Sequence, residues 1–187
     1  MDKIDIKTVR LPHPTPLVVA VSGNNPPNPS TYIYFSQLND HPPIVGIGIK
    51  KKRYTYKLIR EFRDWTINIV SENILKEADK AGTISGNKQN KSKILELDYI
   101  SSNKIKSFGI KESIIIYEVQ YMNEVEFPDH NLVYGEVVNI KIDKCYMNEN
   151  KINFEKVPFI LSSYYSMDYY GMGKFKNHWG FGLKGEK

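Results

Sequence analysis

The run Lys50-Lys51-Lys52-Arg53 is where this sequence gathers the most chemistry in the fewest residues. It follows the apolar stretch Ile44 to Ile49, entered through Pro42-Pro43, and Thr55 comes next as a helix start. A strand that brings an arginine fork and the free N–H groups of a helix N-terminus to one point is suited to hold a phosphate. In that reading Arg53 makes a two-pronged contact, while Thr55 and the helix N-terminus add hydrogen bonds. The same residues also suit a solvated basic turn after a strand, which is what most lysine runs are. Lys50 to Lys52 read as solvent-facing.

The remaining reactive side chains form no catalytic set. Ser85-Gly86 with Lys88 and Lys91 could close over the same anion or stand as an ordinary exposed loop. Tyr32 and Tyr34 can stack a planar ring, although aromatic stripes on strands more often face a core or an interface. His130, after Pro128-Asp129, could donate a proton but reads better as a turn residue paired with Asp129. Cys145 reads as a packed thiol. Histidines at 13, 41, 130 and 178 show no ligand spacing, and a single cysteine excludes both an intrachain disulfide and a cysteine metal cluster.

Short apolar runs must position these groups. Leu17 to Val21 reads as a buried strand, followed by Tyr32 to Gln37, with Tyr32, Tyr34 and Ser36 on one face, and then by Ile44 to Ile49. Gly46 and Gly48 share a face of that third strand, where a missing side chain lets a ligand or another backbone come close. A helix is predicted over Thr55 to Phe62 with Thr55 as its cap, then a strand over Trp65 to Val70. A second helix is capped by Ser71 and ends at Gly82. Thr83 to Ser92 is polar and reads as flexible. Alternation over Ser113 to Tyr121 and Leu132 to Ile142 gives two more strands. Many short strands with two inserted helices point to an antiparallel barrel, because closure removes exposed edges. The Tyr- and Gly-rich tail from Ser162, with Trp179 and Phe181, has no clear period.

The chain of 187 residues is long enough to bury a core, and a single domain over 1–187 is expected. A net charge of +5 permits an anionic ligand or nucleic acid and requires neither. The charged start, Met1 to Arg10, is no signal peptide, and no run reaches the ~20 apolar residues of a membrane span. A soluble cytoplasmic protein is expected, with no membrane partner.

Several segments together resemble the flavin reductase-like FMN-binding split-barrel proteins of the flavoredoxin type. They are Pro16 to Ser22; Asn28-Pro-Ser-Thr31 continuing to Ser36; Pro42-Pro43-Ile-Val with Arg53-Tyr54-Thr55-Tyr56; Trp65 to Val70 with Ala78 to Gly82; Ser85-Gly86 through Lys91; and Asp129-His130 with Gly135 to Val138. The set runs in order over about residues 10 to 145. It departs from the family in Asn90-Lys91-Ser92, in the proline-rich Asn24 to Pro29 loop, and beyond Cys145.

The resemblance implies a Greek-key split β-barrel, mainly β with inserted helices, forming a homodimer that binds FMN noncovalently near the subunit interface. Arg53, Tyr54, Thr55 and the Ser85-Gly86 to Lys91 loop would hold the phosphate. Thr31, Tyr32 and Ser36 would lie along the flavin, Asn28 would also contact the cofactor, and the tail from about 160 to 187 would form an interface or cover the flavin. The implied activity is an oxidoreductase of the flavin reductase type, passing electrons from NAD(P)H through FMN to a flavin or a redox protein. A non-catalytic FMN electron carrier is the alternative, and a nucleic-acid-binding barrel a further one. Interspersed charges argue against the last.

Overall fold

The computed structural model of the chain describes residues 3–176. Fourteen strands follow in chain order: β1 Pro14–Pro16, β2 Val18–Ser22, β3 Asn28–Tyr32, β4 Phe35–Asn39, β5 Ile44–Ile49, β6 Asp64–Ile69, β7 Tyr99–Ile100, β8 Gly109–Ile110, β9 Ile115–Glu126, β10 Asn131–Ile142, β11 Met147–Asn148, β12 Lys151–Ile152, β13 Ile160–Ser163 and β14 Asp168–Gly171. Helix α1, Tyr54–Phe62, lies between β5 and β6, and α2, Leu75–Thr83, follows β6.

Seven strands form one antiparallel sheet in the order β3-β2-β6-β9-β10-β5-β4. Its two edge strands, β3 and β4, are joined by only Ile33 and Tyr34. A two-residue link cannot span an open seven-stranded sheet, since neighbouring strands lie ~4.8 Å apart. The sheet therefore rolls until its edges meet, and the Gly48 N–H donates to the Tyr34 carbonyl at 2.8 Å beside that seam. The strand expected over Tyr32 to Gln37 is thus two strands. The chain leaves β2 at Tyr32 and joins β5 at Phe35, so Tyr32 and Tyr34 do not share a face.

The barrel interior is filled by Val18, Ala20, Tyr32, Val45, Ile47, Ile49, Trp65, Ile67, Val119 and Val133, with Ile59 of α1 packed among them. A second cluster, on the other side of β2, joins Leu17, Val19 and Val21 to Ile74, Ala78 and Ala81 of the α2 region. Burial on both faces explains why Leu17 to Val21 is apolar without alternation. α1 ends where Arg63 takes φ 61° and its N–H returns to the Ile59 carbonyl, while the Arg63 guanidinium lies 3.6 Å from the Tyr121 ring centroid.

Several local expectations are corrected. Arg53, not Thr55, is the α1 N-cap, and it makes no side-chain cap bond. Ser71 does not cap α2. A 3-10 turn, Glu72–Ile74, intervenes, and the helix runs to Thr83, one residue past Gly82. Cys145 is exposed instead of packed, on a 3-10 turn at Lys144–Tyr146. The tail has order of its own: β13 and β14 form a hairpin, with β13 also paired to β1. Trp179 and Phe181 lie outside the described residues.

Candidate functional site

β3 runs between the two helices, and its alternation sends neighbouring residues to different partners. From one face Asn28 Nδ2 donates to the Thr55 hydroxyl at 2.9 Å, and Tyr32 enters the barrel. From the other, the Thr31 hydroxyl bonds the Ala78 carbonyl of α2. The Pro29 carbonyl accepts from Lys91 Nζ at 2.8 Å. Ser30 is left at the junction of two adjoining cavities.

The smaller cavity, about 200 Å³, lies at the N-terminus of α1. Ser30, Lys52, Arg53, Tyr54, Thr55, Ser85, Gly86 and Lys91 line it. Three of these are cations, and among the described residues no carboxylate lies in its wall. The first N–H groups of α1 open here without intrahelical acceptors, although those of Tyr56 and Lys57 turn back to the Arg53 carbonyl. Among the described residues, Arg53 takes part in no ion pair, while its neighbours Lys50 and Lys51 are neutralised by Asp129 at 3.0 Å and Glu126 at 2.6 Å.

Lys91 is buried, and its ammonium also donates to the Ala81 carbonyl at 2.7 Å. Burial, and then the positive charge of Arg53, push its pKa down to about 8. Both partners are neutral carbonyls, so the two cations face one another without a counter-charge. Gly86 allows the loop to close. A Cβ at Gly86 would sit 2.2 Å from Asn28 Oδ1 and 2.8 Å from the Tyr54 ring. The Thr83 to Ser92 segment read as flexible is therefore pinned at Gly86 and Lys91.

The larger cleft, about 370 Å³, shares Ser30, Arg53 and Gly82 with the smaller one and continues past Thr31 and Tyr32. At its far end stand Tyr34, Lys50 and His130 from the barrel and Tyr164, Met167 and Tyr169 from the tail. The Tyr169 hydroxyl donates to Asp79 at 2.6 Å, tying β14 to α2. Burial and the Asp79 charge push that phenol up to about 12. Among the described residues the buried Tyr32 hydroxyl meets no hydrogen-bond partner, and burial raises its pKa.

The structure thus brings Asn28, Thr31, Tyr32, Arg53, Tyr54, Thr55, Ser85, Gly86 and Lys91 to one groove. It does not bring Ser36, which is exposed on β4 with its hydroxyl on the Gln37 carbonyl and lines neither cavity. Asn28 acts behind the wall, on Thr55. His130 is paired with Asp129 as the sequence suggested, and it also lines the cleft. Sequence reading missed Ser30, Gly82, Tyr164 and Tyr169. Ser30 was within reach, since it sits two residues from both Asn28 and Tyr32 on an alternating strand.

The flavin reductase like domain model matches residues 8–166. An uncharacterized protein of Archaeoglobus fulgidus is 35% identical over 128 residues, 68% of this chain and 72% of its own. Among solved structures, flavoredoxin of Desulfovibrio vulgaris (Miyazaki F) superposes with a TM-score of 0.90 at 24% identity, covering 98% of this chain and 100% of that one. Flavoredoxin from Methanosarcina acetivorans gives 0.89 at 24% identity, with 98% of each chain covered. These likenesses show the fold, a split barrel.

Proposed function

This chain belongs to the flavin reductase like domain family, and on that footing we propose that it binds FMN noncovalently as an oxidoreductase. It takes electrons from NAD(P)H and passes them through the flavin to a flavin or protein acceptor. The observation that carries this reading is the small cavity at the α1 N-terminus. Three cations line it, two of them repelling one another, with no acid in the wall. Such a site is costly empty and suits a phosphate dianion.

The donor set fits that group. Arg53 offers a fork, Lys91 the one ammonium N–H left after its two carbonyl bonds, and Ser30, Thr55 and Ser85 offer hydroxyls. Thr55 accepts from Asn28, which leaves its own O–H free to donate. Tyr54 contributes through the backbone of the first helical turn. The larger cleft, reached past Ser30, takes the ring system between Thr31 and Tyr32 on one side and the tail hairpin on the other. When bound, the flavin supplies two-electron hydride chemistry, so the chain needs to orient the ring and exclude water and requires no catalytic side chain of its own.

The proposal includes a single domain, a homodimer and a cytoplasmic location. A pairing face is available on the outside of β4 and β9, where Leu38, Met122 and Val125 are exposed. Among the described residues no helix is long and apolar enough to cross a membrane.

The test is an absorbance spectrum of the purified chain after FMN is added and excess removed, followed by anaerobic titration with NADH and NADPH. Retained flavin absorbance that bleaches with one nicotinamide supports the reading. A colourless protein refutes it, and bound flavin that neither nicotinamide reduces leaves an electron carrier.

A further inference from the structure

Lys91 enters the phosphate reading as a cation, yet its surroundings suit it equally as an amine. Nζ donates to the Pro29 carbonyl at 2.8 Å and to the Ala81 carbonyl at 2.7 Å, and the residue is 4% exposed. An ammonium carries three N–H donors, and a neutral amine carries two beside its lone pair. The two carbonyls therefore satisfy the neutral form completely and leave its lone pair free. Among the described residues no carboxylate pairs with Lys91 to hold the third proton on.

The groups around it act in the same direction. Lys52, Arg53 and Tyr54 share with Lys91 the wall of the cavity of about 200 Å³ at the α1 N-terminus. Lys88 stands with it in the wall of a neighbouring hollow of about 240 Å³, lined also by Pro26 and Pro27. From β3 and α2 it meets the Pro29 and Ala81 carbonyls. The charges among these groups are all positive, so they disfavour the ammonium, Arg53 foremost. At pH 8 about half of Lys91 is neutral, where an ordinary lysine is almost wholly protonated. A desolvated lysine beside another cation is an activated amine nucleophile. Here the cations that free the amine also attract phosphate, and so bring a phosphorylated electrophile to it.

We propose that Lys91 is an acylation site for small acyl phosphates, with Arg53, Lys52 and the α1 N-terminus seating the phosphate while the Lys91 amine attacks the adjoining acyl carbon. A bond forms between Nζ and that carbon as the carbon–oxygen bond to the phosphate breaks. The electron pair leaves on the phosphate oxygen, and the proton that Nζ sheds goes with it, giving an amide and hydrogen phosphate. The amide keeps one N–H for one of the two carbonyls, carries no charge and fills the cavity. Acylation thereby closes the cavity to a phosphate monoester, and the flavin content of the chain answers to the supply of acyl phosphates. The acylation stands on the chain's own residues, whereas the exclusion of FMN rests on the flavin reading.

The experiment incubates the full chain, flavin-free and FMN-loaded, with acetyl phosphate between about pH 7 and 10, and follows each lysine by mass spectrometry of its peptides. At pH 8 Lys91 in the flavin-free chain should acetylate about tenfold faster than the exposed Lys88 and Lys93 beside it, because only the neutral amine attacks. Its rate should rise to about pH 8 and then level off. Inorganic phosphate or bound FMN should protect Lys91 and leave Lys88 and Lys93 reactive. Arg53→Ala should slow Lys91 more with acetyl phosphate than with N-acetoxysuccinimide, an acyl donor that has no phosphate to seat. Lys91 that acetylates no faster than Lys88 and Lys93, or that phosphate fails to protect, overturns the site whether or not the chain binds flavin. Acetylated chain that still takes up FMN overturns the exclusion. Fast, phosphate-protected acetylation of Lys91 in a chain that never retains FMN keeps the site and refutes the flavin reading.

Discussion

The Asn28 amide donates to the Thr55 hydroxyl across 2.9 Å, joining the first residue of β3 to the first turn of α1. Both side chains are buried, so this bond fixes how far the helix N-terminus stands from the strand that lines the flavin cleft. Thr55→Val keeps the shape and leaves the Asn28 amide without its acceptor. A buried donor stranded in this way costs about 1–3 kcal/mol. Chemical denaturation should show that loss in Thr55→Val, and Thr55→Ser should restore most of it. FMN affinity should fall in the valine variant beyond what its stability explains, because the hydroxyl is also a proposed phosphate donor.

Gly86 closes against the same Asn28 and against Tyr54. Its φ is ordinary, so the demand for glycine is one of space: a Cβ would meet Asn28 Oδ1 at 2.2 Å and the Tyr54 ring at 2.8 Å. Gly86→Ala should destabilise the chain by about 1–3 kcal/mol through overpacking and push the loop off the phosphate cavity. Thermal melts with and without FMN would separate the two effects. An alanine variant with wild-type melting and wild-type flavin retention would show that the loop is not held there.

The four clustered cations should behave differently from one another. Arg53 has no ion-pair partner among the described residues, whereas Lys50 and Lys51 are engaged by Asp129 and Glu126. Arg53→Ala removes a charged hydrogen-bond donor worth about 1.5–3 kcal/mol, which is a loss of about ten- to a hundredfold in FMN affinity. Being exposed, it should leave stability nearly unchanged. Lys51→Ala, whose partner is also exposed, should alter neither. Fluorescence quenching on titration with FMN reads both variants directly.

This ranking of neighbours could not be read from Lys50-Lys51-Lys52-Arg53 alone, because ion-pair partners 75 or more residues away decide it. What was legible was local. Ile44–Ile49 was found at its observed bounds, since a short apolar run between prolines and a lysine cluster has little freedom. β9 and β10 showed as strands in their alternation, although the reading of β9 stopped at Tyr121 and the strand runs on to Glu126. The switch at Ile33–Tyr34 was illegible, because the period of two continues across it and only the rolling of the sheet breaks the strand. Lys91 was read as a loop lysine, as nothing adjacent to it announces that Pro29 and Ala81 carbonyls will bury it. Tyr164 and Tyr169 reach the cleft because β13 pairs with β1, a contact between segments 147 residues apart at Thr15 and Ser162.

Glu118 should set the acid limit of the fold. It is fully buried on β9. Burial pushes its pKa up, but the Asn103 and Lys104 N–H groups, the Asn139 amide and the Lys141 charge outweigh that and hold it below the usual carboxylate range. A depressed carboxylate adds stability above its unfolded pKa and loses it as pH falls through the folded value. Glu118→Gln should destabilise the chain at neutral pH and flatten its stability between about pH 5 and the acid transition. Denaturation at a series of pH values would show this, and a glutamine variant with the wild-type acid slope would count against it.

Lys91 makes the opposite prediction at the alkaline end. Its folded pKa of about 8 lies below the ordinary lysine value of 10.5, so between those values the unfolded chain binds more protons than the folded one. Stability of the flavin-free chain should therefore rise with pH across that window, as far as this lysine is concerned. FMN reverses the sign. A phosphate dianion beside Lys91 and Arg53 favours the ammonium and raises its pKa, so binding takes up a proton once the free chain has lost it. FMN affinity should be level below about pH 8 and fall by up to about tenfold per pH unit above it, as one-proton linkage requires. Lys91→Met should bind FMN more weakly at pH 7 and lose that alkaline dependence, while Arg53→Ala should move the onset upward by removing the repelling charge. Isothermal titration in buffers of different ionisation enthalpy counts the proton directly. No uptake at pH 9 would mean that Lys91 stays turned to the Pro29 and Ala81 carbonyls and does not meet the phosphate.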